Sequence, residues 1–200
     1  RFFLTIGNAL KVDWALLGLE DSRFVLVANL PYSITTPLLE KILNSPRPAR
    51  SILMIQRDVA DRLNAGALDS ARGALSVIMQ ERFVMETVCV VLPQAFDPPP
   101  KVESAVVRLV PTNSLIDPVY RMFLQHSFEH RRKFLHRVLE KRYSSIAWIT
   151  VFDSLGIART ARAQDITNAE WKRIFAYNSP SPPLILREGN VDGVDHSSLV

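Results

Sequence analysis

The sequence predicts an α/β fold in which a layered sheet domain is followed by a small all-helical domain. Over residues 1–111, short apolar segments alternate with helix-like segments. Such alternation is typical of a mainly parallel sheet covered by helices. After residue 111 no strand pattern appears, and helical spacing takes over. We therefore expect a sheet domain at 1–111, a helical domain at 112–178 and a flexible, Ser/Pro-rich and then polar tail at 179–200.

Five segments have the composition of strands in a largely buried sheet. They are short, apolar and partly β-branched, and helix-like or polar sequence separates them. They lie at residues 2–6, 24–28, 51–55, 84–91 and 104–110.

The helices are predicted mainly from their end signals. Thr36 followed by Pro37 is typical of an N-cap and a first helical residue, and predicts a helix at 37–44. A helix at 57–65 would end at Gly66 as its C′ glycine, and another is expected at 72–82. In the helical domain, a helix at 146–155 would end at Gly156, and the capping box that opens at Thr167 would start a further one.

The composition indicates a globular protein without a disulfide framework. Apolar residues make up 48% of the 200 residues, and no apolar run approaches the ~18 residues of a membrane span. The single cysteine, Cys89, lies in an apolar run and is predicted to be a small buried side chain. The four histidines have no metal-binding spacing, so we assign no metal. These features fit a reducing, cytosol-like compartment.

Positive charge is concentrated in one segment of the chain. The net charge is +4, whereas residues 118–143 alone carry seven Lys and Arg against two acids. Apolar residues recur at helical spacing along this segment, which predicts one basic amphipathic helix. Basic helix faces are often simply solvated. The alternative is a face that neutralises the phosphates of a polyanion, with strongly salt-dependent affinity.

The four residues from Asn29 to Tyr32 follow directly on the strand predicted at 24–28. Ligands of open α/β sheets bind at the carboxyl ends of strands. The Asn29 side-chain oxygen and the Leu30 carbonyl could accept the N–H groups of a planar exocyclic amine, and Tyr32 could stack on its base. Pro31 fixes φ and removes a competing donor. The alternative is an ordinary loop, since Asn and Pro are common turn formers.

Four blocks of sequence, in one order along the chain, carry a family resemblance. They are residues 27–38; 54–63 with 73–77; 95–109; and 130–133 with 155–157 and 162–166. These blocks resemble the KsgA-type small-subunit rRNA adenine dimethyltransferases, whose relatives include the erythromycin-resistance methylases and the mitochondrial transcription-factor-B proteins. Together the resemblance spans nearly all of residues 4–177.

The resemblance implies a partial Rossmann-like class I methyltransferase sheet followed by a small all-helical C-terminal domain. The implied activity moves two methyl groups from S-adenosylmethionine to N6 of adenosines near the 3′ end of small-subunit rRNA. Asn29 would contact both the cofactor and the target amine, with Leu30 and Pro31 beside it. Tyr32 and Phe96 would sandwich the base after it is flipped from its stack.

Two departures from the family pattern concern the cofactor. None of the seven glycines forms the expected glycine-rich loop, so the N-terminal cofactor segment is expected to be missing and cofactor affinity to be poor. Asn8, next to Ala9, stands where the family typically has aspartate and would bind the cofactor adenine. Its amide oxygen accepts without charge, which makes a weaker bond. Asn8 is also a good turn residue after a strand.

The resemblance also gives the basic segment a partner. Arg131, Arg132, Lys133 and Arg137 are expected to grip the phosphates of small-subunit rRNA or an immature small ribosomal subunit. We expect a monomer that has no membrane partner and works in the cytoplasm, or alternatively in a mitochondrial or plastid matrix. A non-catalytic RNA-binding or ribosome-assembly factor on the same scaffold is the alternative function.

Overall fold

The computed structural model describes residues 4–44 and 46–178. The chain divides into two compact units, the first through Gln125 and the second from His126. This division falls later than the boundary predicted after residue 111. The tail predicted at 179–200 lies outside the described residues.

The described sheet has four strands in the order β1-β2-β4-β3. Strand β1 pairs parallel with β2, and β4 lies antiparallel between β2 and β3. Strand β3 therefore points the same way as β1 and β2. The prediction of a mainly parallel sheet is right for strand direction but wrong for pairing, because β4 makes two of the three pairings antiparallel. The strands are β1 Val25–Asn29, β2 Arg50–Gln56, β3 Phe83–Val91 and β4 Ser104–Pro111.

Two predictions about strands are wrong. Residues 4–6 of the strand predicted at 2–6 are not in a strand, and no described strand lies beside them to take their backbone hydrogen bonds; residues 1–3 are not described. Cys89 is exposed rather than buried. It lies on β3, at an edge of the described sheet, next to a register shift between Thr87 and Cys89. Val88, Cys89 and Val90 are all exposed, so both faces of β3 are open to solvent at this point.

The first three helices of the chain belong to the first unit, and two of their predicted end signals are wrong. Ile34 rather than Thr36 is the N-cap of the first helix, because the 3-10 turn Tyr32–Ile34 runs directly into it. The second helix ends at Ala65 in an extended conformation, so Gly66 is not a left-handed C′ residue. The helices are α1 Thr35–Ile42, α2 Arg57–Asn64 and α3 Ala74–Arg82.

The core of the first unit joins the sheet to these helices. Apolar side chains of β2 and β4 alternate between buried and more exposed positions, and the buried ones pack against side chains of α1, α2 and α3. Burial of this area is the main term that stabilises the unit. Its fully buried members include Leu39, Ile42, Leu53, Ile55, Ala60, Met79 and Ala105.

The single basic helix predicted at 118–143 is wrong, because the chain breaks it into two. Phe134 has extended backbone, and the Leu135 N–H donates to the carbonyl of Ala161 at 2.8 Å rather than continuing a helix. This tertiary bond overrides the helical spacing of the apolar residues. The two helices are α4 Pro118–Ser127 and α5 Leu135–Arg142.

The remaining helices agree with their end signals. Helix α6, Trp148–Leu155, ends at Gly156 with φ of 69°. Helix α7, Asn168–Tyr177, begins with the predicted capping box, in which the Thr167 side chain accepts from the Glu170 N–H. Trp148, Phe152 and Trp171 are completely buried in the core of the second unit. Within the described chain, no helix combines the length and the apolarity that crossing a membrane requires.

Candidate active site

A hollow of about 320 Å³ opens where β1 ends and β4 begins. We call it the sheet-edge hollow. Two segments far apart in the sequence form its walls, one directly after β1 and one in the proline-rich loop that precedes β4. Its lining residues are Asn29, Leu30, Pro31, Tyr32, Phe96, Pro98, Pro100 and Ser104. The structure therefore brings together all five residues that the sequence analysis assigned to the reacting base.

The first wall is an extension of β1 that is held by its neighbours. The Leu30 N–H donates to the Met54 carbonyl at 3.2 Å, and the Leu30 side chain is buried. Pro31 then turns the chain, with φ of −55° and ψ of 132°, into the 3-10 turn that starts at Tyr32. The Tyr32 hydroxyl and the Ser104 Oγ lie 2.9 Å apart in a hydrogen bond. Tyr32 is thus fixed at both its backbone and the tip of its ring.

The second wall presents the ring of Phe96. The 3-10 turn Pro93–Ala95 precedes it, and the Phe96 N–H donates to the Pro93 carbonyl at 3.1 Å. Phe96 is half-buried and has extended backbone, and the following Asp97–Pro98 peptide bond is cis.

Arg57 and Glu103 form a hydrogen-bonded ion pair next to the sheet-edge hollow. The Arg57 N–H donates to the Glu103 carbonyl at 3.0 Å, and its guanidinium donates to the Glu103 carboxylate at 2.5 Å. This hydrogen bond, together with the charge of Glu103, raises the pKa of Arg57 above its usual value. The pair joins the end of β2 to the start of β4, next to Ser104.

The sheet-edge hollow is neutral and offers acceptors and rings. None of the residues that line it carries a formal charge. The Asn29 side chain has no hydrogen-bond partner among the described residues, so its oxygen is available to accept. An amide oxygen beside two aromatic rings suits a flat, uncharged base with an exocyclic amine, and it supplies no strong general base.

Of the three predicted cofactor residues, Asn29 lines this hollow, whereas Asn8 and Ala9 do not. The Asn8 Oδ1 accepts from the Leu10 N–H at 2.9 Å, which is the turn-forming role that the sequence also allowed. The Ala9 carbonyl accepts from the Lys41 ammonium at 2.7 Å. Lys41 also lies 4.8 Å from the centroid of the Trp14 ring, and its burial lowers its pKa.

The basic residues of the second unit form a separate feature. Arg132, Lys133, Phe134, Arg137 and Arg162 line a hollow of about 400 Å³, which we call the basic hollow. The Arg137 guanidinium lies 5.7 Å from the centroid of the Phe134 ring, within cation–π range. Of the four predicted phosphate contacts, Arg132, Lys133 and Arg137 line this hollow, whereas Arg131 is exposed in the same turn but does not.

Sequence reasoning missed Ser104 and Arg162. Ser104 is the first residue of β4, which starts at the edge of the sheet where the hollow lies. The start of a predicted strand could therefore have indicated Ser104 as a site residue. Arg162 lies about thirty residues beyond the other cations of the basic hollow, and only tertiary structure brings it to them. In residues 4–44 and 46–178, no group of three His, Cys, Asp or Glu side chains is arranged to hold a metal ion.

Comparisons with known proteins identify relatives along nearly the whole chain. Residues 8–179 match the family model described as ribosomal RNA adenine dimethylase. A protein named ribosomal RNA small subunit methyltransferase A from Thiobacillus denitrificans is 40% identical over 88% of this chain and 69% of its own length. Proteins of the same name from Bordetella pertussis and Synechococcus sp. strain JA-3-3Ab are 38% and 40% identical over 86% of this chain. The chain spans 64% and 63% of those two proteins.

Solved structures show a similar fold. A dimethyladenosine transferase from Plasmodium falciparum matches with a TM-score of 0.71 at 23% identity, over 86% of this chain and 70% of that one. The 23S rRNA methyltransferase ErmE matches with a TM-score of 0.59 at 22% identity, over 80% of this chain and 68% of that one.

Proposed function

Because the chain belongs to the ribosomal RNA adenine dimethylase family, we propose that it acts in the S-adenosylmethionine-dependent dimethylation of adenosine N6 near the 3′ end of small-subunit rRNA. One observation carries the proposal. Asn29, Leu30, Tyr32 and Phe96, predicted from the sequence to surround one base, line one hollow at the carboxyl end of β1.

In this proposal the chain positions the amine rather than removing its proton. The Asn29 side-chain oxygen and the Leu30 carbonyl accept the two N–H groups of the adenine amine, which turns the nitrogen lone pair away from the ring. The bound cofactor supplies an electrophilic methyl group on a sulfonium. Tyr32 and Phe96 hold the base between them, and stacking contributes roughly 1–3 kcal/mol per base. The displaced N6 proton leaves to solvent.

The second methyl transfer follows from the same geometry. After one methyl group has been added, the amine retains a single N–H, so one of the two acceptors is enough to orient it. The neutral walls of the hollow also accommodate a methyl group without leaving a buried charge unpaired.

The described residues fit one side of a cofactor site. Asn29 lies beside the reacting position, and the Asn8 amide oxygen retains a second lone pair after it accepts from Leu10. That acceptor is suited to the amine of the cofactor adenine, with Ala9 next to it. Because the Asn8 oxygen is uncharged, we expect it to hold the adenine less tightly than an aspartate would.

The basic hollow supports an RNA partner for the second unit. Three of the predicted phosphate-binding cations line it together with Arg162, and the Phe134 ring adds a stacking surface. Cations beside an aromatic ring suit an RNA backbone with an unstacked base. In this proposal small-subunit rRNA, as such or in an immature small ribosomal subunit, is the partner, and the protein acts as a monomer in the compartment where ribosomes are assembled.

Methyl transfer from labelled cofactor to immature small ribosomal subunits tests the proposal. The chain is assayed as it stands and with the cofactor segment of the Thiobacillus denitrificans relative joined to its N-terminus. We expect incorporation at N6 of adenosine in the extended protein. Asn29→Ala should lower the rate by about two orders of magnitude or more, as loss of one preorganised polar contact does elsewhere.

Matched controls separate chemistry from binding. Asn113→Ala, which removes an exposed amide outside the sheet-edge hollow, should leave the transfer rate unchanged. Asn29→Ala should bind the subunit almost as well as the parent protein. Undiminished transfer in Asn29→Ala would contradict the proposed site. Subunit binding without transfer in the extended protein would instead favour a non-catalytic assembly factor.

A further inference from the structure

The first unit contains a second pocket that the proposed function does not use. Its volume is about 380 Å³, and it shares no lining residue with the sheet-edge hollow. Three arginines, Arg47, Arg82 and Arg121, contribute to its wall, and we call it the arginine pocket. Its other lining residues are Asp21, Leu43, Asn44, Ile78, Leu115, Ile116 and Pro118.

Arg82 has the least satisfied of the three guanidinium groups. The residue is only 4% exposed, and its Nη1 is buried with no hydrogen-bond partner among the described residues. Burial, followed by the charge of Arg47, lowers the pKa of Arg82, and the charge of Asp21 offsets part of this effect. A buried guanidinium nitrogen without an acceptor is costly, and native structures nearly always supply one.

Asp21 balances only one of the three positive charges in the wall of the arginine pocket. It accepts from the Arg47 guanidinium at 3.2 Å through Nε and at 2.9 Å through Nη2, and from the Arg47 backbone N–H at 2.7 Å. This bidentate pair accounts for one positive and one negative charge. The charges of Arg82 and Arg121 remain.

Arg121 is only loosely engaged. Its closest acidic partner is Glu40 at 3.8 Å, which is beyond hydrogen-bond length, and Glu40 does not line the pocket. The Arg121 side chain is 25% exposed and lines the pocket. The lining of the pocket therefore carries three guanidinium groups and only one carboxylate, that of Asp21.

We propose that the arginine pocket binds a phosphate group, through Arg82 and Arg121 with Arg47 at its side. Guanidinium forks match the oxygens of phosphate in charge and in geometry. The pocket is larger than one phosphate needs, and Leu43, Ile78 and Ile116 give it apolar walls. It therefore fits a phosphate that is attached to a larger group, such as a mononucleotide or one nucleotide of an RNA strand.

Titration of the full chain with inorganic phosphate at constant ionic strength tests this site. The side-chain Nε–H signals of Arg47, Arg82 and Arg121 are followed by NMR. We expect these three to shift together and to saturate. Arg121→Gln should weaken phosphate binding by about tenfold or more, because it removes charge-assisted hydrogen bonds. Arg23→Gln, which removes an exposed arginine outside the pocket, should not weaken it.

Arg82→Met provides a second test, and a circular dichroism spectrum first establishes that the variant folds. If it folds, it should lose saturable phosphate binding; if it does not, Arg121→Gln alone decides. Competition then identifies the source of the phosphate, since displacement by adenosine monophosphate indicates a free nucleotide, and displacement only by a single-stranded RNA oligonucleotide indicates a strand. Unsaturable shifts spread over exposed arginines, or unchanged affinity in Arg121→Gln, would overturn the proposal.

Discussion

Tyr32 contributes two different parts of its side chain to the sheet-edge hollow. The ring lines the hollow, whereas the hydroxyl is bonded to Ser104 at the first residue of β4. We therefore expect the ring to contact the base and the hydroxyl to hold the first wall of the hollow against β4. These two roles can be separated by substitution.

We expect Tyr32→Phe to keep base stacking and to lose only the bond to Ser104. In a double-mutant cycle with Ser104→Ala, the two positions should be coupled by about 0.5–1.5 kcal/mol in the free energy of unfolding. Methyl transfer by Tyr32→Phe should fall far less than by Tyr32→Ala, which loses the stacking surface. Urea unfolding and initial rates measure the two effects, and equal rates for Phe and Ala at this position would argue against stacking.

The sequence was sufficient to predict which side chains line the sheet-edge hollow, but not where Asn8 and Cys89 lie. The residues from Asn29 to Tyr32 could be placed because they follow a strand whose carboxyl end must lie at the sheet edge. Asn8 could not be placed, because a short polar side chain can satisfy its own turn as readily as a ligand, and here it bonds to Leu10. Cys89 was misplaced because an apolar run does not reveal that its strand is an edge.

The ends of helices differ in how much they depend on tertiary structure. The αL conformation of Gly156 and the capping box at Thr167 are local, and the sequence predicted both. The start of α5 depends on the bond from Leu135 to Ala161, which no pattern within 118–143 encodes. At the end of α6 and the start of α7, local signals were therefore sufficient.

Gly156 ends α6 in a left-handed conformation, and its replacement tests how much this conformation matters for stability. Its φ of 69° is strained for any residue with a Cβ, although an added Cβ would touch nothing there. Gly156→Ala should therefore destabilise the helical unit by about 1 kcal/mol. Urea unfolding monitored by tryptophan fluorescence reports on this unit, because it contains Trp148 and Trp171. Gly66→Ala, at a position without left-handed φ, should change stability much less; a similar loss there would contradict the conformational explanation.

Tyr120 links α4 to α3 and gives a prediction about alkaline pH. Its hydroxyl donates to the buried Glu81 carboxylate at 3.0 Å, and burial, followed by the charge of Glu81, raises the pKa of Tyr120 far above its usual value. The folded state therefore keeps this proton after the unfolded chain has lost it. This contribution to stability is complete below the unfolded pKa of about 10 and declines as the pH rises above it.

Tyr120→Phe should remove that decline. At neutral pH the variant should be less stable by about 1.5–3 kcal/mol, the usual value of a hydrogen bond to a charged group. Above pH 10 its unfolding free energy should fall less steeply than that of the parent, by up to about 1.4 kcal/mol per pH unit. Urea unfolding at several alkaline pH values measures both slopes, and parallel slopes would exclude Tyr120 as the group responsible.

The two hollows proposed to contact RNA differ in charge. The sheet-edge hollow is neutral, whereas the basic hollow presents four cations around one aromatic ring. Of these two hollows, the basic hollow should therefore supply attraction to RNA phosphates, and the sheet-edge hollow should discriminate the base. Salt dependence distinguishes these contributions, because only the phosphate contacts release counterions.

Removal of one basic-hollow cation should flatten the salt dependence of RNA affinity. In Arg132→Gln, the slope of log K against log salt should become shallower by about 0.7–0.9, because one fewer phosphate is neutralised. Arg173→Gln, which removes an exposed arginine of α7 outside the basic hollow, should leave the slope unchanged. Filter binding at several salt concentrations measures the slopes. An unaltered slope in Arg132→Gln would place the RNA-binding surface elsewhere.

The position of β4 has a consequence for how this protein is made. β4 is the last of the four described strands to be synthesised, yet it lies between β2 and β3 and pairs with both. Until it arrives those two strands have no shared partner, and Tyr32 has no Ser104 to bond. β2 and β3 can therefore be joined into one sheet only after β4 has been synthesised, and the hydrogen bond that fixes the Tyr32 ring forms only at that last step.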